Sequence, residues 1–255
     1  MTMRLIFTNE DARANSLGLS LPVTRGVIAC HFLDGATEAV RNRIAGGTVG
    51  TITGSPTWGS GFGTFTGSTT YVSTATADLS LTDVSMIVVA KSTAAFSGSA
   101  SRPVLAGSYG AISSDLYTAC INITGTPSSA PAATVAATAS RNNGGLPANV
   151  TASITVADMS AWTILGMSVA GGGGANALKI YDLTNGTSAS TTMSTARLPH
   201  PTRLFQIGAT SSSLVGGNTS VAAYILGNVV WTQAEFEKLA AGLRRRVDAY
   251  HSIAA

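Results

Sequence analysis

Cleavage of a glycosidic bond on a β-rich scaffold needs two carboxylates across one cleft, about 5 to 5.5 Å apart in retaining enzymes. On a strand such a pair reads as E-x-D or D-x-E, because the two-residue period puts both side chains on one face. The sequence contains neither triplet. Its four glutamates are Glu10 near the N-terminus, Glu38 in a polar loop, and Glu235 and Glu237 in the last helical stretch. A glycan-degrading enzyme would have to rely on Glu38, Asp34 or Asp182. His31, His200 and His251 fall into no H-x-x-x-H or H-E-x-x-H spacing, and no G-x-S-x-G elbow, phosphate loop or dinucleotide fingerprint is present. His31 adjoins Cys30, but neighbouring strand residues point to opposite faces, so the two do not form a ligand pair. Asp34, Asp78, Asp83 and Asp158 sit at turn-like places where capping of the backbone accounts for them. No catalytic residue, metal ligand or cofactor is therefore implied, and the chain reads as a non-enzyme. A calcium site assembled from distant loops is the alternative left open.

Sugar binding asks for something different, an aromatic ring as a stacking platform with amide and hydroxyl partners around it. Trp58, Tyr71, Tyr109 and Trp162 are the candidates. Trp58 and Tyr71 fall within a core-like motif, which leaves Tyr109 and Trp162 as the carbohydrate-binding candidates. Tyr109, between Gly107 and Gly110, reads as a loop aromatic, and Trp162 opens a strand.

The elements that must position these residues are mostly strands. From Val27 onward, short apolar or alternating runs recur between Gly, Pro, Asn and Ser clusters, among them Ser85 to Lys91, Tyr117 to Ile123, Thr163 to Val169 and Ser220 to Trp231. About a dozen such runs argue for two packed antiparallel sheets. Asn185-Gly186 after Ala177 to Leu183 predicts a tight type I′ reversal. One helix is expected over about 233–250: Thr232 and Glu235 form a capping box, and Phe236, Leu239, Ala240, Leu243 and Val247 share one stripe. The fold class is all-β, a two-sheet antiparallel jelly-roll sandwich with one C-terminal helix. Residues 1–25 read as an arm or edge segment and 26–255 as the domain.

Charged residues make up 11 % of the chain, against about 25 % in an ordinary globular protein, so the surface is built from hydroxyls and amides. Such a surface suits a chain partly covered by partners. The net charge of +3 and the run Arg244 to Arg246 make a weak nucleic-acid footprint, and that partner class is set aside. No segment reads as a secretory signal or a membrane span, so synthesis in a cytoplasm without membrane insertion is expected, and N-x-[ST] matches such as Asn122 carry no weight. Cys30 and Cys120 lie in apolar strand contexts and are favoured as buried thiols over a disulfide.

Three segments resemble the concanavalin A-like, laminin-G-like superfamily. The first carries Gly54, Pro56, Trp58, Gly61, Phe65, Gly67, Tyr71 and Val72; the second is LTDVSMIVVAKST; the third carries Phe205, Ile207, Gly208, Trp231, Thr232, Glu235 and Leu239. Domains of this kind with Ser/Thr/Gly/Ala-rich strands and a short N-terminal segment resemble those of tailed-bacteriophage virions. That resemblance implies a virion structural protein, a tail, baseplate or fibre module, with capsid decoration or a carbohydrate-binding lectin as alternatives. It further implies other virion proteins as partners, a homo-oligomer, a host-surface glycan as a further partner, and docking through Arg4, Phe7, Arg13 and Arg25.

Overall fold

The computed structural model describes residues 21–93, 96, 98, 101–126, 131–210 and 216–247, with side chains through 245. The all-β, two-sheet expectation holds: every strand pairing is antiparallel, and one helix, Gln233–Val247, closes the chain. The first sheet holds β1 (Val27–Phe32), β3 (Thr57–Gly59), β4 (Phe62–Thr66), β6 (Val84–Lys91), β11 (Thr163–Val169), β12 (Gly174–Asp182), β13 (Thr187–Met193) and β15 (Asn218–Gly227). Its order is β13-β12-β11-β6-β15-β4-β3, with β1 added along the second half of β15. The second sheet runs β10-β9-β8-β7-β14-β5-β2, from β2 (Thr51–Thr53), β5 (Tyr71–Ala77), β7 (Val104–Ile112), β8 (Asp115–Gly125), β9 (Ala133–Asn143), β10 (Leu146–Val156) and β14 (Leu204–Ile207).

The hydropathy of each strand follows from what covers it. β6 reads VSMIVVAK because both of its faces are buried: Val84, Met86, Val88 and Ala90 enter the core between the sheets, while Ile87 and Val89 enter a second core under the helix. β10 instead alternates, burying Ala152, Ile154 and Val156 and exposing Thr151, Ser153 and Thr155.

The helix begins as its capping box dictates. The Thr232 amide donates to Glu235 Oε2 at 2.8 Å and the Glu235 amide to Thr232 Oγ1 at 3.3 Å. Phe236, Leu239, Ala240 and Leu243 are buried against the first sheet together with Cys30, Phe32 and Trp162. Strand β15 stops at Gly227, short of the expected Trp231. The absent side chain of Gly227 makes room for the Trp231 ring, whose backbone amide donates to Ser85 Oγ at 3.0 Å and whose indole N–H donates to the Arg25 carbonyl at 3.0 Å. Trp231 is thus the hinge from sheet to helix rather than a strand residue.

The first and last motif segments meet in space. Gly208, with φ 85°, lies so close to the Phe65 ring that a Cβ could not be accommodated, and Phe65 itself meets Trp58 edge-on at 6.0 Å. Two strands escaped the sequence pattern, β3 and β13. The reversal at Asn185-Gly186 joins β12 to β13, but not as a type I′ turn: only Gly186 has positive φ, and the Asp182 carboxylate accepts from the Thr184 and Asn185 amides at 2.9 and 3.0 Å. A carboxylate cap has replaced the left-handed asparagine.

Both cysteines are free and buried. At one end of the sandwich Asp78 and Arg197 form a buried ion pair, with the His200 amide donating to Asp78 Oδ2 at 2.7 Å and Arg197 donating to the Leu81 carbonyl at 2.7 Å. A buried pair satisfied on this many sides fixes how the 195–203 connection crosses the end of the sheets.

Candidate functional site

Tyr109 does not lie in a loop. It occupies the middle of β7, directly opposite Thr118 of β8. Its glycine neighbours have packing roles: Gly107, with φ 134°, approaches Ala119 and Cys120 too closely for any side chain, and the space beside Gly110 is filled by the Arg203 guanidinium. The glycines that resembled loop punctuation sit in the regular part of the β7–β8 ladder, where they admit close neighbours.

The register fixes what surrounds the ring. Ala119, Ile121 and Ile123 of β8 point into the core, so Thr118, Cys120, Asn122 and Thr124 share the outer face with Tyr109. Strand β9 adds Thr138 opposite Cys120, and β10 adds Thr151 opposite Thr138 and Asn149 opposite Ser140. The result is a surface of hydroxyls and amides around one half-buried phenol.

Hydrogen bonds orient this surface. Asn122 Oδ1 accepts from Thr138 Oγ1 at 3.1 Å and from the Cys120 thiol at 3.7 Å. Cys120 is fully buried, which pushes its thiol up to about 12 despite the hydroxyl of Thr118 at 3.0 Å, so it stays a donor at neutral pH. With its oxygen held by two donors, Asn122 presents its NH2 group outward. Ser140 donates to Asn149 Oδ1 at 2.7 Å, and the same logic leaves the Asn149 NH2 free to donate. Burial, with a contribution from Cys120, pushes the Tyr109 phenol up to about 12 as well, keeping it neutral and protonated. An aromatic side chain that shares one face with pinned amide donors can stack on the apolar face of a sugar while that face donates to its hydroxyls.

The other candidates fall elsewhere. Trp162 is 6 % exposed in the second core, with Phe62 edge-on at 5.5 Å and the Lys91 ammonium 4.8 Å from the ring; it is a covered ring and not a platform. Trp58 and Tyr71 pack against the main core, as their motif implied. Arg25 is committed within the chain: it donates to both oxygens of Glu235, at 2.8 and 2.7 Å, and to the Val230 carbonyl at 2.9 Å. Arg25 and the Thr232 amide together hold the Glu235 carboxyl down at about 2. Arg4, Phe7, Arg13 and His251 lie outside the described residues.

Among the described residues the carboxylates do not converge on one cleft. Glu38 pairs with Arg43, Asp182 caps its hairpin, and Asp78 is buried against Arg197. Among the described residues no group of three His, Cys, Asp or Glu side chains could hold a metal ion, and no helix is long and apolar enough to cross a membrane. Sequence reading missed Asn122, Cys120 and Thr138 as site residues. For Cys120 and Asn122 the signal was the alternation in YTACINITG, whereas Thr138 lies on β9 in a run that carries no such pattern.

No protein-family model matches the chain, and no curated protein matches its sequence. Solved structures do match its fold. The binding domain of botulinum neurotoxin DC in complex with SialylT aligns at a TM-score of 0.57 and 8 % identity over 86 % of this chain and 52 % of that one. The botulinum neurotoxin serotype G binding domain gives 0.58 and 8 % over 85 % and 51 %. Trypanosoma rangeli sialidase in complex with sialic acid gives 0.58 and 12 % over 87 % and 33 %. The chain thus spans about half the length of the neurotoxin domains and a third of the sialidase. At these identities the likeness is one of fold: the chain is a jelly-roll-like β-sandwich.

Proposed function

We propose that this chain is a non-enzymatic glycan-binding module that takes a saccharide on the outer face of the second sheet. The observation that carries the reading is Tyr109, which lies mid-sheet on the same outer face as the oriented amide of Asn122. The residues named on this face are all uncharged, which favours a neutral glycan over an acidic one, and the scattered carboxylates favour binding without turnover. The fold neighbours solved with sialic acid or SialylT lend support at the level of architecture only. The virion setting, its protein partners and oligomer formation come from the sequence resemblance, and the glycan reading stands without them.

A glycan array with the isolated chain tests this. Saturable binding of at least one neutral glycan, lost in Tyr109→Ala with the circular dichroism spectrum unchanged, is the expected result. Binding that survives Tyr109→Ala, or an array without any hit, would overturn the reading.

A further inference from the structure

The opposite sheet carries a polar cleft of about 240 Å³, where the edge strand β13 and its neighbour β12 meet the first turn of the closing helix. Lys179, Tyr181, Asn176, Ser188, Ser190 and Gln233 line it. The register explains why they gather. Lys179 faces Ser190 and Tyr181 faces Ser188 across the β12–β13 ladder, and Tyr181 packs on Phe236 at 4.7 Å, which brings the helix start alongside.

The polar atoms of this cleft are committed in a pattern that leaves specific ones free. Ser190 donates to Asn176 Oδ1 at 2.7 Å, which turns the Asn176 NH2 into an available donor. Gln233 donates to Glu237 Oε1 at 3.0 Å, which holds that carboxylate one helical turn away and leaves the Gln233 oxygen as an acceptor. Lys179 makes no ion pair among the described residues, and no acidic side chain lines the cleft. The cleft therefore offers one uncompensated cation flanked by neutral donors and acceptors beside an aromatic side chain. Another cleft, about 190 Å³ beside β1, contrasts with it: no charged residue lines it, and Asn42 there spends its amide on the Ile28 carbonyl and the Cys30 amide, at 3.0 and 3.1 Å.

The geometry points to a second binding site, independent of Tyr109, for a carboxylate-bearing sugar, with the acid group on Lys179 and ring hydroxyls on Asn176, Ser188 and Gln233. A single charge-assisted contact in an open cleft gives Kd values on the order of millimolar.

The test is amide chemical-shift mapping with methyl glucuronide and methyl glucoside, which differ only in the carboxylate. The glucuronide should shift resonances of residues 176–190, weaken as salt is raised, bind about tenfold more weakly to Lys179→Gln and bind unchanged to Tyr109→Ala. The glucoside should leave these resonances in place. Equal shifts from both sugars, no shift from either, or an unaltered Lys179→Gln would overturn the assignment. Because Tyr109→Ala is scored separately, failure here leaves the neutral-glycan face standing or falling on its own array.

Discussion

Cys30 and Cys120 are both free and both fully buried, yet they lie on the outer faces of different sheets and in opposite company. Cys30 sits among Phe32, Ile87, Trp162 and Phe236 beneath the closing helix. Cys120 sits among Thr118, Asn122 and Thr138 on a face that no described helix covers. Each sheet thus shares one inner core and spends its outer face differently. The first sheet's outer face is roofed by a helix up to the Lys179 cleft, whereas the second's is a patterned polar surface whose side chains orient one another. Low charge across the chain follows from this division, since hydroxyls and amides can be pinned within a sheet without the desolvation cost of ions.

If the division is real, the faces must respond differently to truncation. The largest effect belongs to the roofed side: Phe236→Ala removes a buried ring that touches Trp231 and Tyr181, and should cost about 3 to 5 kcal/mol in a denaturant titration. Neutral-glycan binding at the Tyr109 face by the fraction that remains folded should be unchanged.

Acid should weaken the inner core next. His31 is fully buried, its Nδ1 is paired with the Ala39 carbonyl at 2.9 Å, and its cross-strand neighbour is Tyr224, whose phenol is also held protonated by burial. Burial lowers the His31 value below its ordinary 6.5, so the native state resists the proton that the unfolded chain accepts. The stabilisation is complete above pH 6.5 and is lost as pH falls through the lower folded value. His200, shifted in the same direction by burial and Arg203, adds to the slope. Melting temperature against pH should fall below 6.5 in the native chain and less steeply in His31→Gln.

The helix cap is worth less. Thr232→Ala removes the acceptor for the Glu235 amide and should cost about 1 kcal/mol by the same titration. Because Glu235 titrates at about 2 against an ordinary 4.5, its share of the stability is present above pH 4.5 and disappears as pH falls toward 2.

These two faces were unequally legible in the sequence. The roofed side announced itself through the continuous apolar run of β6, the T-x-x-E box and the helical stripe, because burial on both faces and helix periodicity leave strong marks. The order of Trp58, Phe65 and Gly208 likewise encoded contacts the fold makes. The polar face was harder to see. A strand whose outward residues are Thr, Cys and Asn differs little in pattern from any solvated strand, and only the register of β7, β8 and β9 reveals that they surround Tyr109. Gly107 and Gly110 misled for a physical reason: glycine permits a loop, but it also permits close backbone approach within a sheet, and the sequence does not distinguish the two uses. Trp162 misled in the opposite sense, since a ring at the start of a strand can face a helix as readily as solvent.

The smallest effect on stability is expected on the polar face, where a substitution acts on binding instead. Asn122→Ala deletes an acceptor for Thr138 and Cys120, but Thr138 can turn its hydroxyl to Thr151 at 3.4 Å and a thiol loses little when unpaired, so the cost should be about 0.5 kcal/mol. The same substitution removes a free amide donor from the Tyr109 face, and retention on whichever neutral glycan the array identifies should fall about tenfold, the worth of one good hydrogen bond. If Asn122→Ala instead destabilises as strongly as Phe236→Ala while binding persists, the hydroxyl and amide network is a second structural layer, and the contrast between the two faces collapses.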